Sequence, residues 1–481
     1  GFDQTLLLID GIKVDDPQTG HHTMNLALPI EVIKRIEIIK GPAARVFGQN
    51  AFTGAINIVT NDNLESSLIA KVQGGSFGQF IAEVTGAVNL EDSNHLVHFS
   101  KQSSEGYRKN TDFDNSNYVL RSQFNKVKLP INLISAFSER KFGAQNFYGV
   151  TSPAAVPYEV TQASLIGLST EIKKGNFTWK PRMYWRRNQD EYIFIRANPS
   201  VYRNLHITNK IAAELNGSYE SKLGTTGFGL EFSKYMIQSN NLGDAEREIA
   251  TLFLEHRFSF FNQMLDITPG VAVSYFSDFE NKAFPGIDVG VKLSERLRMY
   301  SNVGYTYRVP TYTDLNYSDP STLGNPDLQA ERAFAQELGV KYHANAVDFT
   351  VAFFNRNTEN FIDYRRATPA DFWEPVNIDV QTKGFESSLK YSFTTNSIKH
   401  QIQYSYTYID DNIETDLTSK NGINSMRHQI VFGYNVQLFK GFIQNISYRY
   451  VERTSGVSYN VYDLNTTYRW KNVEASILAQ N

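Results

Sequence analysis

Residues 35–60 read Arg35-Ile36-Glu37-Ile38-Ile39-Lys40-Gly41-Pro42-Ala43-Ala44-Arg45-Val46-Phe47-Gly48-Gln49-Asn50-Ala51-Phe52-Thr53-Gly54-Ala55-Ile56-Asn57-Ile58-Val59-Thr60. Ile36, Ile38 and Ile39 form a short β-branched strand. Gly41-Pro42 ends it with a turn. Gly48 and Gly54 punctuate the next stretch, and Ala55 to Val59 is a second strand. Such a unit is too short to bury much core alone.

Outward from this block, the pattern divides the chain in two. Upstream, Leu6-Leu7-Leu8-Ile9-Asp10-Gly11-Ile12 reads as a strand closed by a turn. Asp15-Asp16-Pro17-Gln18-Thr19-Gly20-His21-His22-Thr23 is a polar loop, and Pro29 to Arg35 has the form of a helical turn opened by proline. Asn61-Asp62-Asn63 breaks the pattern and sets a boundary between a first domain, 1–62, and a second, 63–481. In the second, period-two alternation recurs: Ile402, Tyr404, Tyr406 and Tyr408 alternate with Gln401, Gln403, Ser405 and Thr407, and Val347, Phe349, Val351 and Phe353 alternate with Asp348 and Thr350. Each run is about the 9–11 residues that a tilted strand needs to cross a bilayer. Aromatics, with 27 Tyr and 33 Phe in 481 residues, recur near run ends as an interfacial girdle requires.

One alternating strand would suit a soluble sheet with one wet face. Around twenty such runs with almost no helical period exceed what a sandwich uses. Connections alternate between very short ones (near Asn345, Thr394 to Ser397, Lys440-Gly441) and long polar ones (142–160, 310–332, 366–378, 410–425). That is the outer-membrane barrel pattern. At roughly 19 residues per strand and connection the barrel has near 22 strands, the size class with a plugged lumen. The fold expected is therefore all-β: a large antiparallel transmembrane barrel with a small α+β domain ahead of it.

The totals narrow function. Net charge is −3 and there is no Cys, so neither a nucleic-acid footprint nor a thiolate site is present. No apolar run approaches the roughly 20 residues of a transmembrane helix. There is no His-Glu-x-x-His and no P-loop, and His95, His98, His206, His256, His343, His400 and His428 show no partner spacing, so no enzyme is expected.

The two blocks near the start, in this order and separation, resemble the second half of the plug domain of TonB-dependent outer-membrane transporters. Tyr307-Arg308-Val309-Pro310 to Leu315, then Gly324-Asn325-Pro326-Asp327-Leu328-Gln329-Ala330-Glu331, is similar to a barrel segment of that family, as is Lys383-Gly384-Phe385-Glu386. The final Ala479-Gln480-Asn481 resembles the beginning of the family's Asn-Leu-Phe. The resemblance implies a fragment whose signal peptide, TonB box, first plug half and last strand lie outside this sequence. It implies location in the bacterial outer membrane, in contact with lipid bilayer and lipopolysaccharide. The implied partners are TonB with ExbB and ExbD, a small-molecule cargo, and a surface lipoprotein lid. Cargo import without covalent chemistry or a cofactor is the implied activity.

Site residues come from the same resemblance. Plug loops of the family touch cargo, which here selects Asp15, Gln18, His21, His22 and Met24; the plain alternative is a surface turn. Metal ligation by the two histidines is disfavoured, because neighbours in an extended segment point to opposite faces. The family's plug Arg pairs with barrel glutamates, which selects Lys40 with Glu331 and Glu386 as a latch; the alternative is three separately solvated charges. Phe142 to Gly149 and Tyr312 to Tyr317 mix aromatics with amides, as either a cargo surface or a girdle does. Asp112, Asp114 and Asn115, and Asp410 with Asp411, are oxygen-rich loop clusters that could take calcium but lack EF-hand spacing. The plug sequence looks most like cobalamin (vitamin B12) receptors of the Bacteroidetes kind, with a ferric siderophore receptor as the alternative and a passive porin or adhesin barrel third.

Overall fold

The computed structural model describes residues 2–25, 28, 30–41, 44–61, 65–125, 129–147, 155–420 and 425–481. The boundary expected between 62 and 63 falls outside the described residues.

Four strands form a small mixed sheet near the start: β1 (Thr5–Ile9), β2 (Ile12–Lys13), β3 (Ile33–Lys40) and β4 (Gly54–Thr60). Their order is β2-β1-β4-β3. β1 and β4 run parallel, from Thr5 opposite Gly54 to Ile9 opposite Ile58. β3 is antiparallel to β4, and β1 and β2 form a hairpin. The Pro-led turn is a short 3-10 segment, Ile30–Val32, and Lys34 and Arg35 belong to β3. The Asp10-Gly11 turn has both residues at positive φ, a backbone that glycine adopts without strain. Asp10 Oδ1 accepts from the Thr60 N–H at 2.7 Å and Asp10 Oδ2 from the Thr60 hydroxyl at 2.6 Å, so the turn locks the far end of β4.

From Ser67 onward the chain is almost entirely strand, paired in chain order into a closed barrel. Among the described residues it has 21 long strands, plus the short pieces Ile172–Lys174 and Thr418–Ser419. Many are longer than the 9–11 residues expected; Glu374–Thr395 has 22. At about 3.3 Å per residue such a strand extends well past the hydrocarbon.

Contacts divide the chain into two units. The first is Gly1–His256 with Gly270–Pro285 and Thr306–Gln329. In it, one face of the small sheet packs on the inner face of the wall: Leu7, Ile9, Ile12 and Val14 meet Val119, Ile134, Leu165, Tyr184 and Ala212. Gly167 leaves the space that Ile12 fills, since a Cβ there would lie 2.4 Å from Ile12 Cδ1. The second unit is Arg257–Pro269, Gly286–Tyr305 and Ala330–Asn481. Its Val347–Arg366 strand shifts register between Thr358 and Phe361, with Asn360 at positive φ, as at a β-bulge.

Candidate functional site

The polar loop after β2 has an unusual fate for its composition. Asp15, Asp16, Gln18 and His22 are all buried, and His21 is exposed. The loop does not run extended through the histidines. It enters a 3-10 turn, Gly20–Met24, in which Thr23 donates its hydroxyl to Gly20 O at 2.8 Å. His21 and His22 therefore diverge because of the turn.

The partners of these side chains are wall residues far away in sequence. Alternation along Phe177–Ile193, Arg203–Ser221 and Gly224–Ser239 turns Arg186, Asn188, Asp190, Thr208, Lys210 and Tyr235 inward. Lys210 Nζ donates to Asp15 Oδ1 at 2.5 Å and the Tyr235 hydroxyl to Asp15 Oδ2 at 2.6 Å. Burial alone would raise the Asp15 carboxyl, but Lys210 and Tyr235 outweigh it and hold it well below the usual carboxylate range. Asp16 accepts from Thr208 at 3.0 Å, from Asn188, and from Arg186 Nη1 at 3.4 Å, while its other oxygen caps the Gln18 N–H at 2.9 Å. Arg186 reaches further, donating to the Asp15 carbonyl and, at 3.1 Å, to the His22 carbonyl. One guanidinium fork thus grips three points of the loop, a task for which lysine lacks the geometry.

His22 Nε2 lies 3.3 Å from Asp190 Oδ2, and the Gln18 side chain donates to the same oxygen at 3.2 Å. Burial opposes charge on the ring, yet Asp190 overrides it and the His22 pKa is pushed up to about 9. For exposed His21 the balance goes the other way: partial burial and the neighbouring His22 lower its pKa.

Further ties run above and below. Arg182 Nη1 donates to Gly11 O at 2.6 Å and to Glu214 at 2.9 Å. Lys13 pairs with Glu231, and Arg45 with Glu255 at 3.3 Å. The Arg308–Asp314 stretch also turns to the loop. Thr311 and Asp314 form a reciprocal capping box for the helix Tyr312–Asn316, Arg308 pairs with Asp3 and Asp314, and the N–H groups of Tyr312 and Thr313 donate to Pro17 O and Gln18 O at 2.9 and 3.2 Å.

The expected cargo contacts are thus placed as follows. Asp15, Gln18 and His22 are buried in the anchor between loop and wall, and His21 presents its ring outward. The side chain of Met24 lies outside the described residues. Lys40 ends β3 opposite Gly54 with its side chain exposed. Glu331 is fully buried and accepts the Ile362 N–H at 2.9 Å, and Glu386 is half-buried on Glu374–Thr395; both belong to the second unit. Tyr312 is buried against Ile237 and Leu242, Phe147 is exposed, and Tyr148 and Gly149 lie outside the described residues. Of the acids expected in loops, Asp114 lies in the strand Phe113–Phe124 and Asp410 and Asp411 in Ile398–Ile413, and these acids have partners: Asp112 accepts both carboxylate bonds from Arg196 at 3.0 and 2.9 Å, Asp114 pairs with Lys101, and Thr382 donates to Asp411 at 2.6 Å. Among the described residues no group of three or more His, Asp or Glu side chains is arranged to hold a metal. Gly74-x-Ser76-x-Gly78 has the spacing of a hydrolase elbow, but it is an exposed hairpin connection between two strands, without the strand-to-helix turn that a nucleophile elbow needs.

Arg186, Asn188, Asp190, Lys210 and Tyr235 went unrecognised in the sequence. The available signal was Arg186-Arg187-Asn188-Gln189-Asp190, where polar residues occupy both faces of one strand.

Comparison with known proteins agrees with this architecture. The family described as "TonB dependent receptor-like, beta-barrel" matches residues 90–481, and "TonB-dependent Receptor Plug Domain" matches residues 1–55. A vitamin B12 transporter BtuB from Vibrio vulnificus (strain YJ016) is 22% identical over 418 residues, covering 83% of this chain and 66% of the relative. One from Photobacterium profundum is 21% identical over 421 residues, with the same coverages of 83% and 66%. The chain thus spans just under two thirds of the length of these curated relatives. Among solved structures, the siderophore receptor PirA from Pseudomonas aeruginosa superposes with a TM-score of 0.78 at 15% identity, over 100% of this chain and 88% of that one. The copper transporter OprC gives 0.82 at 13% identity, over 99% and 84%. At these identities the structures share a fold.

Proposed function

The chain belongs to the TonB-dependent receptors, β-barrels of the bacterial outer membrane that are not enzymes, and from that premise we propose that it imports a large, scarce solute by TonB-driven movement of its plug. The observation that carries the reading is the folded sheet fastened inside the wall through Asp15, Asp16 and His22. An open porin or an adhesin has no use for a separate sheet held by buried charges. A gated carrier does, because such pairs keep the plug seated until work is done on it.

The cargo we propose is cobalamin. Its support is the vitamin B12 transporters at 21–22% identity over most of this chain, together with the plug sequence itself. A ferric siderophore is the second reading, favoured by the shared fold with siderophore receptors. Cargo binds above the anchored loop, where His21 is presented. TonB, powered through ExbB and ExbD, acts on chain upstream of β1, and a surface lipoprotein covers the loops.

Calorimetry on the full-length protein in detergent tests this, with cyanocobalamin and a panel of ferric siderophores as titrants. Cobalamin binding that weakens in His21→Ala supports the cargo and the contact together. Siderophore binding without a cobalamin signal overturns the cargo and leaves the carrier. Free diffusion of small solutes through the intact protein in liposomes would overturn the carrier itself.

A further inference from the structure

The strands of the second unit carry a regular pattern that the plug anchor does not use. Tyr404, Phe432, Tyr448 and Tyr462 stand in register across four neighbouring strands, an aromatic row on the lipid-facing side. The residues that alternate with them therefore face the barrel interior. On Ile398–Ile413 these include Gln401, Gln403, Ser405 and Thr407, a column whose steps of two residues are about 6.6 Å long. At the foot of the column Gln401 is in register with Asn435, Asn435 with Asn445, and Asn445 with Asn465. Four strands thus present one side-chain amide each, side by side, about 4.8 Å apart.

None of these inward side chains is charged. Gln403 Nε2 donates to Gln401 Oε1 at 3.1 Å, Gln401 Nε2 donates to Ser392 Oγ at 3.4 Å, and the Asn435 amide donates to Asn445. A primary amide has two N–H groups and two lone pairs, so these contacts leave most of the bonding capacity open to the lumen. The charges that border the column and row are of both signs. Lys399 is two residues before Gln401, Lys390 is in register with Gln403 and with Asp348, and Asp463 is in register with Ser447. The amide row lies near the end of the strands where Asn396-Ser397 and Lys440-Gly441 make two-residue turns. In outer-membrane barrels such short turns are periplasmic, so the row stands near the exit.

We infer that this inner face is a track along which cargo leaves, built for an uncharged solute rich in carboxamide groups. The inference rests on the carrier reading above and deepens it by naming the solute class and the residues it passes. A solute that gives up water must have its polar groups bonded at every step. Closely spaced neutral partners let one bond replace another, so no position holds the solute for long, and passage requires binding that is weak and repeated. Cobalamin, whose rim carries carboxamides, is a solute of this kind. An anionic ferric chelate meets cations and carboxylates together beside the track, and the amides offer it no counter-charge.

Gly433 allows a direct test. It lies in register between Gln403 and Ser447, and an added Cβ would meet Gln403 Cβ at 3.6 Å, an ordinary contact. The sequence has no Cys, so Gly433→Cys adds one thiol, with the unsubstituted protein as the labelling control. The full-length protein is placed in the outer membrane of cells that supply TonB. Surface binding of radiolabelled cyanocobalamin is read without energy and uptake with it. A fluorescein maleimide adduct on Gly433→Cys should lower uptake at least tenfold with surface binding unchanged, while a methylthio adduct leaves uptake near native. Gln403→Leu with Asn435→Leu should slow uptake several-fold at unchanged surface binding, and Gln403→Asn should keep it. Full uptake with the bulky adduct in place, or a thiol that stays unreactive throughout uptake, would overturn the track. Equal losses of binding and uptake in the leucine variant would overturn its exit role. Energised uptake of a ferric siderophore with none of cyanocobalamin would overturn the solute class. No energised uptake of either by the native protein would overturn the carrier reading itself.

Discussion

Replacing Arg186 by Met should free the plug loop while leaving the barrel standing. The Arg186 guanidinium is buried, and it is the cationic partner of Asp16 as well as a donor to the carbonyls of Asp15 and His22. Its removal leaves the Asp16 carboxylate with Thr208, Asn188 and the Gln18 N–H only. Breaking a buried pair from one side costs about 3 kcal/mol at the low end of the usual range, and the remaining bonds to Asp16 argue for that end. On that estimate the open population of the loop rises roughly a hundredfold. Hydrogen exchange with mass spectrometry reads this directly, because opening free energy sets amide protection. The amides of Val14 and Gln18, which donate to Leu7 O and Asp16 Oδ1, should lose protection by that factor, while those of Arg203–Ser221 keep theirs. Asp16→Asn in the Arg186→Met background should recover part of the loss, since it removes the stranded charge. Unchanged protection at Val14 and Gln18 in a folded Arg186→Met variant would refute the anchor.

Three further outcomes are expected in the same region. Gly11→Ala should destabilise the plug by about 1–2 kcal/mol, because φ is +78° and the new Cβ would lie 2.5 Å from Arg182 Nη2; faster proteolysis of residues 1–60 is the readout. Gly167→Val should unseat the hairpin by displacing Ile12, seen as lost protection in β1 and β2 with strand content of the barrel retained. His22 has a folded pKa raised to about 9 from 6.5, so its stabilising contribution is complete below about pH 6.5 and fades as pH rises through 9; loop protection, corrected for intrinsic exchange, should fall across that window in the native protein and stay flat in His22→Gln.

Much of this fold is legible in local chemistry. The isoleucines of β3, the Asp10-Gly11 turn and the period-two runs each express a preference that neighbouring residues already set, and the structure uses them as such. The loop after β2 is different. Its acids and histidines look like surface groups because the one cation near them in sequence, Lys13, pairs with Glu231 and their hydrogen-bonding partners lie elsewhere. Lys210 and Tyr235 are 195 and 220 residues from Asp15, and only closure of the wall brings them within reach. Tyr312 is another such case. It reads as either a cargo-facing or an interfacial aromatic, but the capping box at Thr311 and Asp314 folds its segment onto the plug. Neighbouring histidines point to opposite faces only in an extended chain, and His21 and His22 sit in the 3-10 turn Gly20–Met24.

The parallel pairing of β1 with β4 has a mechanical meaning. β1 is entered from the chain's start, and β4 leads on toward the wall strands. A load drawn through the beginning of β1 and resisted beyond the end of β4 therefore pulls the two strands lengthwise past each other. The rungs from Thr5–Gly54 to Ile9–Ile58 then bear tension together, like stitches along a seam, and cannot open one at a time as in an unzipped hairpin. The Asp10 carboxylate, clasping Thr60 just past the last rung, is the knot at the end of that seam.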